Sequence, residues 1–458
     1  MFAFRLSSAA RLAVLVAATA LVAAPATVVF GQGFGGGFGN QAVGGISVDA
    51  RGIVGNLDPA AVESLAAERR RALADAGWSG KPGDARKVSL KAVAAAVAAA
   101  AKAATPLPAE VMYLGGLQRI DHVFVDPDAG DIVLSGPADA LIVNQTGDVV
   151  GAATGRPPLV LEDLVVALRA IDATRNGGVS CSIDPTREGV ANLQALLSRQ
   201  GQVGGDPRAM FAAMEKALGP QQVTVTGVPT DSRMARVLVA ADYRMKRIGM
   251  GHEPSGLAKL PSYLDMLPAG GRAMATPRFW LEADYDPIAR DPDELAWRIG
   301  GRRMKCLTES DAFARDDVKR GAGAADATAR RWCEAMTANY EALAAKHPVF
   351  AELANCVDLT VVAALIRGRQ LDAKAGCDLG PLLDAAAAPL PKYDVPATVP
   401  TVATGAKKGS AWVLTASGGV TFQPWAFAAE TTDSPDAAAL RAQAVAARPA
   451  DLAGCSWD

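Results

Sequence analysis

"GGVSCSIDPT", residues 177–186, is the stretch whose reading decides the fold. Taken as a nucleophile on a sharp turn, it makes the chain an enzyme; taken as a strand running into a helix, it makes it a piece of scaffold. Val179, Cys181 and Ile183 alternate with Ser180, Ser182 and Asp184, the period-two pattern of a half-buried strand. Asp184 stands where it can cap the next helix, with Pro185 at the first helical position, where a missing N–H costs nothing. Val190, Leu193, Leu196 and Leu197 give that helix an apolar face. A nucleophile elbow needs G-x-S-x-G on a strand–turn–helix. Here Ser182 replaces the second glycine and the turn comes only at Asp184, so Ser180 lies along the strand. The strand reading is preferred.

The supply of bases agrees with that choice. A Ser or Cys nucleophile needs a base, most often histidine, and the chain has 3 histidines. His122 sits in an alternating strand beside Asp121, whose side chain should point to the opposite face. His252 follows "GMG" in a loop next to Glu253, and His347 precedes Pro348 in a helix–helix turn.

Working outward, a helix over about 207–218 leads to the strand "QVTVTG". The helix within 228–251 has the clearest pattern in the chain. Met234, Val237, Leu238, Ala241, Met245 and Ile248 form its apolar stripe, while Arg236, Tyr243 and Arg247 fall together on another side. Arg and Tyr are residues that anchor interfaces, which makes these three a candidate interaction face. The competing reading buries that side, with Arg236 paired to a carboxylate. Upstream, "IDHVFVDPDAGDIVLSG" reads as two strands around a Pro/Asp/Gly turn. Helices are expected over 58–76, over 89–104 with Ser89 as N-cap, and from about Leu161. Downstream, 277–310 reads as a β-meander with turns at "RDPD" and "GG", 311–387 as helical, and 409–427 as strands returning to the core.

The first residues read as a leader. Arg5 and Arg11 precede an apolar run from Leu12 to about Phe30, followed by small residues, the pattern of an export signal over 1–31. The alternative is an uncut anchor; Pro25 interrupts the run and favours cleavage. Residues 32–45 are a Gly-rich tether. No later stretch offers an unbroken apolar span of about 18 residues, so no transmembrane segment is expected in the mature chain. Lys+Arg total 46 and Asp+Glu 48, a balance that gives no reason to expect nucleic acid as a partner. The six cysteines, Cys181, Cys306, Cys333, Cys356, Cys377 and Cys455, are widely spaced without a CxxC, which argues against a zinc or thioredoxin-like motif. Their even number suits disulfides in an exported chain, and buried free thiols equally well.

Cofactor and metal signals are missing. "DPDAGD" (126–131) has Asp131 where a calcium loop needs glycine at its sixth position and Pro137 where it needs the closing glutamate, and "GFGGGFG" sits in the tether rather than between a strand and a helix. Glu282 and Asp284, beside Trp280 and Tyr285, share one strand face about 7 Å apart, as carboxylates acting on a glycan would require. A solvated strand face explains them as well, just as solvated turns explain the basic cluster "RIGGRRMK".

"GGVSCSIDPT", "DSRMARVLVAADYRMKRIGMG", "LPSYLDML" and "ASGGV" together resemble a family of exported bacterial proteins known as domain of unknown function 1598. The likeness spans roughly 110–430. It implies an exported protein with no assigned activity and brings no catalytic residues, cofactor or fold.

The reading is therefore an α+β protein with a mixed core over 46–310, a helical segment over 311–387, a C-terminal β region over 388–430 and an Ala-rich tail over 431–458. Its expected role is a non-enzymatic extracytoplasmic binding or structural module, periplasmic or secreted, with an envelope protein or cell-wall component as partner. No catalytic, cofactor-binding or metal residue is assigned. The alternative is an exported hydrolase using Glu282 and Asp284.

Overall fold

The helix Arg233–Gly249 sits at the centre of the molecule, and its sequence explains why. The Ser232 hydroxyl caps it by accepting from the Ala235 amide at 3.2 Å, and its apolar stripe from Met234 to Ile248 is buried. The computed structural model describes residues 43–75, 80–199, 207–268, 277–313, 318–323, 327–403 and 416–458. The expected leader over 1–31 and most of the tether lie outside the described residues. The last tether residues do not stand free: Val43 and Gly44 are buried, packed against the central helix.

Two seven-stranded mixed sheets form an α+β fold. The first runs in the order 318–323, 301–313, 277–285, 417–422, 179–184, 221–226, 398–399. The second runs 431–433, 288–290, 296–298, 122–126, 131–138, 83–89, 456–457. The central helix packs on the first sheet over the strands Val179–Asp184 and Ser417–Phe422. The long helix Pro348–Arg369 packs in turn on the central helix and on the helix Leu161–Ala170.

The opening stretch is the strand Val179–Asp184, with alternate residues facing the core. The strand Ser417–Phe422 lies beside it, antiparallel, with Val420 opposite Cys181 and Gly419 opposite Ser182. It lies parallel to Pro277–Tyr285 on its other side. "ASGGV" needs its glycines for this central position. A Cβ on Gly418 would stand 2.1 Å from the Phe279 carbonyl oxygen, and one on Gly419 would stand 1.8 Å from that of Cys181.

Several expectations are corrected in detail. The helix after the opening strand begins at Arg187, and its first amides are served by Thr186, whose Oγ1 accepts from Gly189 N at 3.0 Å. Asp184 is still in the strand, and its carboxylate accepts from Gly418 N at 3.3 Å. The meander over 277–310 divides between the sheets. Pro277–Tyr285 pairs with Gly301–Phe313 in the first, while Ile288–Arg290 and Ala296–Arg298 belong to the second, with Ala296 opposite Phe124. The helical segment starts at Ala327, because 301–313 and 318–323 are strands. Of the expected strands over 409–427, Ser417–Phe422 is found and Pro424–Ala429 is a helix, while 409–415 lies outside the described residues. Pro348–Arg369 is long and apolar enough to cross a membrane by length and composition, although Glu352, Asn355 and Asp358 interrupt its apolar run, and 94% of that window is buried inside the protein.

Charges buried against the long helix are tied across elements. Arg233, at the start of the central helix, bridges Asp163 and Glu352. Beside them Glu162 accepts from the Tyr393 hydroxyl at 3.0 Å. Burial, reinforced by the neighbouring Asp163 charge, pushes the Glu162 carboxyl up to about 8. The folded chain thus holds a proton that the unfolded chain releases near 4.5. This contribution is fully present below that value and is lost as pH rises towards 8. His122, His252 and His347, lowered mainly by burial, act in the opposite sense below about 6.5. Glu162→Gln separates the two. Between pH 5 and 8 the wild type should lose stability relative to the variant, by at most about 1.4 kcal/mol per pH unit. Urea midpoints measured at several pH values test this, and parallel curves for the two proteins would disprove it.

Candidate functional site

Three of the stretches singled out in the sequence meet at the C-terminal half of the central helix. Lys246 reaches from that helix into the first sheet. Its ammonium donates to the carbonyls of Ile183 at 2.7 Å and Gly418 at 3.0 Å, and to Asp242 one turn earlier at 3.0 Å. "ADYRMKRIGMG" therefore pins "GGVSCSIDPT" to "ASGGV" from one side. Asp242 is fully buried, and desolvation pushes its carboxyl up to about 7 against the pull of Lys246.

A groove opens above this pair, of about 430 Å³ including its open mouth. Its polar wall is Gln221, Tyr243, Lys246, Arg247 and His252. Its apolar wall is Ile183, Met250, Val399, Pro400, Val402 and Ala416. At the rim the Arg247 guanidinium lies over the Tyr243 ring, 5.5 Å from its centre. Such a stack fixes a cation without removing its ability to donate hydrogen bonds. The Tyr243 hydroxyl has no hydrogen-bond partner among the described residues. Glu253 receives both Arg247, at 3.4 Å, and Arg244, at 3.1 Å, with the His347 ring 3.6 Å away. Two guanidiniums thus face one carboxylate at the rim. His252 is held below its ordinary value by burial and by Arg247, so it is a neutral imidazole near neutral pH.

The structure brings together two of the three residues expected on one interaction face. Tyr243 and Arg247 line the groove, but Arg236 is fully buried. Its guanidinium donates to the Asp394 carbonyl at 3.0 Å, because the segment after residue 384 crosses that side of the helix. The three therefore do not form a single exposed surface.

The other candidates are placed as follows. Ser180 and Ser182 point away from the core, and the Ser180 hydroxyl bonds that of Thr226 at 2.8 Å. Cys181 faces the central helix, and burial drives its thiol well above the usual range. His122 stacks on Phe124 in the second sheet, and His347 bonds the Ser255 carbonyl at 3.1 Å, so neither serves those serines. Glu282 and Asp284 lie half-exposed on one face of their strand. Asp284 is held by Lys305 at 3.5 Å and Arg302 at 3.6 Å, and the Trp280 indole donates to Glu309 at 3.0 Å. Asp126 and Asp131 close their hairpin, the first accepting from Ala129 N at 3.1 Å and the second taking Arg448 at 2.7 Å. In the basic cluster Arg303 is buried inside the fold rather than solvated.

The sequence reading missed Lys246 and the far wall. The i,i+4 spacing of Asp242 and Lys246 does signal an ion pair. Nothing local signals that it is buried, nor that Val399, Pro400 and Val402 close the opposite side.

Residues 181–263 match the family described as Protein of unknown function (DUF1598), so the resemblance to that domain holds over this segment. No curated protein and no solved structure matches the chain. The matched segment contains the strand Val179–Asp184 from Cys181 onwards, the whole central helix and seven of the eleven residues around the groove: Ile183, Gln221, Tyr243, Lys246, Arg247, Met250 and His252.

Proposed function

We propose that the protein is a non-enzymatic binding module acting outside the cytoplasm, and that the groove beside the central helix is its ligand site. The observation that carries this reading is the stacked Tyr243–Arg247 pair at the rim of an apolar-walled groove. An apolar wall with a few convergent polar groups is the usual form of a small-ligand site. The chemistry favours an apolar group bearing a negative charge, such as a side chain or chain end of an envelope protein, or a cell-wall component. The charged, apolar and then small-residue order of residues 1–31 supports export to the periplasm or beyond. The hydrolase alternative draws less support, because Asp284 is occupied by Lys305 and Arg302 on a half-exposed strand face.

The test uses 1-anilinonaphthalene-8-sulfonate, a probe that is both apolar and anionic. The folded protein should bind it at one saturable site. Arg247→Gln should weaken binding about tenfold, which is about 1.4 kcal/mol, and Met250→Glu should abolish it. The same variants should lose any partner that the wild type captures from cell envelopes. Unchanged probe binding by both variants would sink the groove assignment.

A further inference from the structure

The strand Gly301–Phe313 and the helix Ala327–Ala338 hold two thiols against each other. Cys306 Sγ lies 3.4 Å from Cys333 Sγ, and both residues are buried. Their elements are already clamped one turn away, where the Thr337 hydroxyl accepts from Cys306 N at 2.8 Å. Two other cysteines face different chemistry. Cys356 Sγ points to the Asp163 carboxylate at 3.6 Å, and Cys455 Sγ to the Glu110 carbonyl at 3.7 Å. A disulfide needs sulfurs about 2.05 Å apart, so the pair needs only a small side-chain adjustment to bond. We propose that Cys306 and Cys333 are a cross-linking site, joined as the chain's disulfide when it folds in the presence of a disulfide oxidant.

The reaction is a thiol–disulfide exchange. One protein thiolate attacks the oxidant's S–S bond, forming a mixed disulfide and expelling one thiolate. The second protein thiolate attacks the mixed disulfide at the protein sulfur, closing the Cys306–Cys333 bond and releasing the other half of the oxidant. The protein loses two hydrogens and the oxidant gains two, leaving as two thiols. Burial raises the Cys306 thiol well above its ordinary range, so exchange occurs while the chain folds and the sulfurs are still in water. Once folded, the same burial protects the bond. It would tie the first sheet to the helix that follows it, closing a 27-residue separation.

The test is made on the full chain, refolded either with oxidised and reduced glutathione or with dithiothreitol alone, then denatured and alkylated with iodoacetamide. The glutathione sample should carry four alkyl groups and the dithiothreitol sample six. Digestion should yield one cross-linked peptide pair, holding Cys306 and Cys333. Cys306→Ser and Cys333→Ala should each abolish that pair. The oxidised protein should melt roughly 5 °C above the reduced protein. Six alkylated cysteines after oxidative folding would overturn the proposal, and so would a cross-link from either residue to another cysteine. This result is independent of the groove and of its ligand.

Discussion

Asp358→Ala should destabilise the protein by about 3–5 kcal/mol or more, enough to prevent folding of a domain of ordinary stability. Asp358 is buried in the long helix and takes four donors. Arg303 reaches it twice, from Nε at 3.0 Å and from Nη2 at 2.7 Å. Ile120 N donates to it at 3.2 Å, and the Tyr285 hydroxyl donates to its other oxygen. Arg303 also donates to Asn355 Oδ1 at 2.8 Å, and Asn355 in turn donates to the Pro157 carbonyl at 3.1 Å. Removing the carboxylate leaves a buried guanidinium, a phenol and an amide without their acceptor. Loss of one partner of a buried pair costs far more than loss of both, because the survivor keeps its desolvation penalty. Arg303→Met/Asp358→Leu should therefore recover part of the loss. Denaturant melts of the single and double variants check this. A single variant within 1 kcal/mol of wild type would show that the network carries little.

Lys246→Met should cost a similar amount, about 3–5 kcal/mol. It leaves Asp242 with no countercharge in a fully buried site and strips the donor from the Ile183 and Gly418 carbonyls. Adding Asp242→Leu should return part of the loss, but less than all of it, because the two carbonyls stay without their donor. Because Lys246 also forms the groove floor, the folded fraction of the single variant should bind the anionic probe more weakly than wild type. A melting midpoint equal to wild type would remove the claim that this lysine locks helix to sheet.

Much of the scaffold was legible in the residues. The alternation at Val179–Ile183 and the stripe from Met234 to Ile248 are local patterns, and both elements form where they predict. Two of the candidate site residues, Tyr243 and Arg247, were legible for the same reason: a helical wheel places them together. The wheel cannot show what covers each side, so Arg236 looked equally available until Asp394 was seen to cross it. Non-local facts were out of reach. Ile288–Arg290 and Ala296–Arg298 read as strands of one meander because nothing in eleven residues says that a second sheet will take them. The sulfur contact between Cys306 and Cys333 and the carboxylate of Asp358 under Arg303 depend on how helices dock on strands, which spacing does not encode. Capping was a near miss: Asp184 suits the position, but the strand runs one residue further than expected, through Asp184, and Thr186 takes the cap.

The strand Ser417–Phe422 sits between Pro277–Tyr285 and Val179–Asp184, and among the described residues no other strand joins these two parts of the first sheet. During synthesis, everything from residue 179 to residue 313 is made more than a hundred residues before its connecting piece. Until Phe422 leaves the ribosome, the two half-sheets present open edges, and the central helix has only part of its platform. Closing such distant contacts late makes folding slow. It also keeps the nascent chain from locking early.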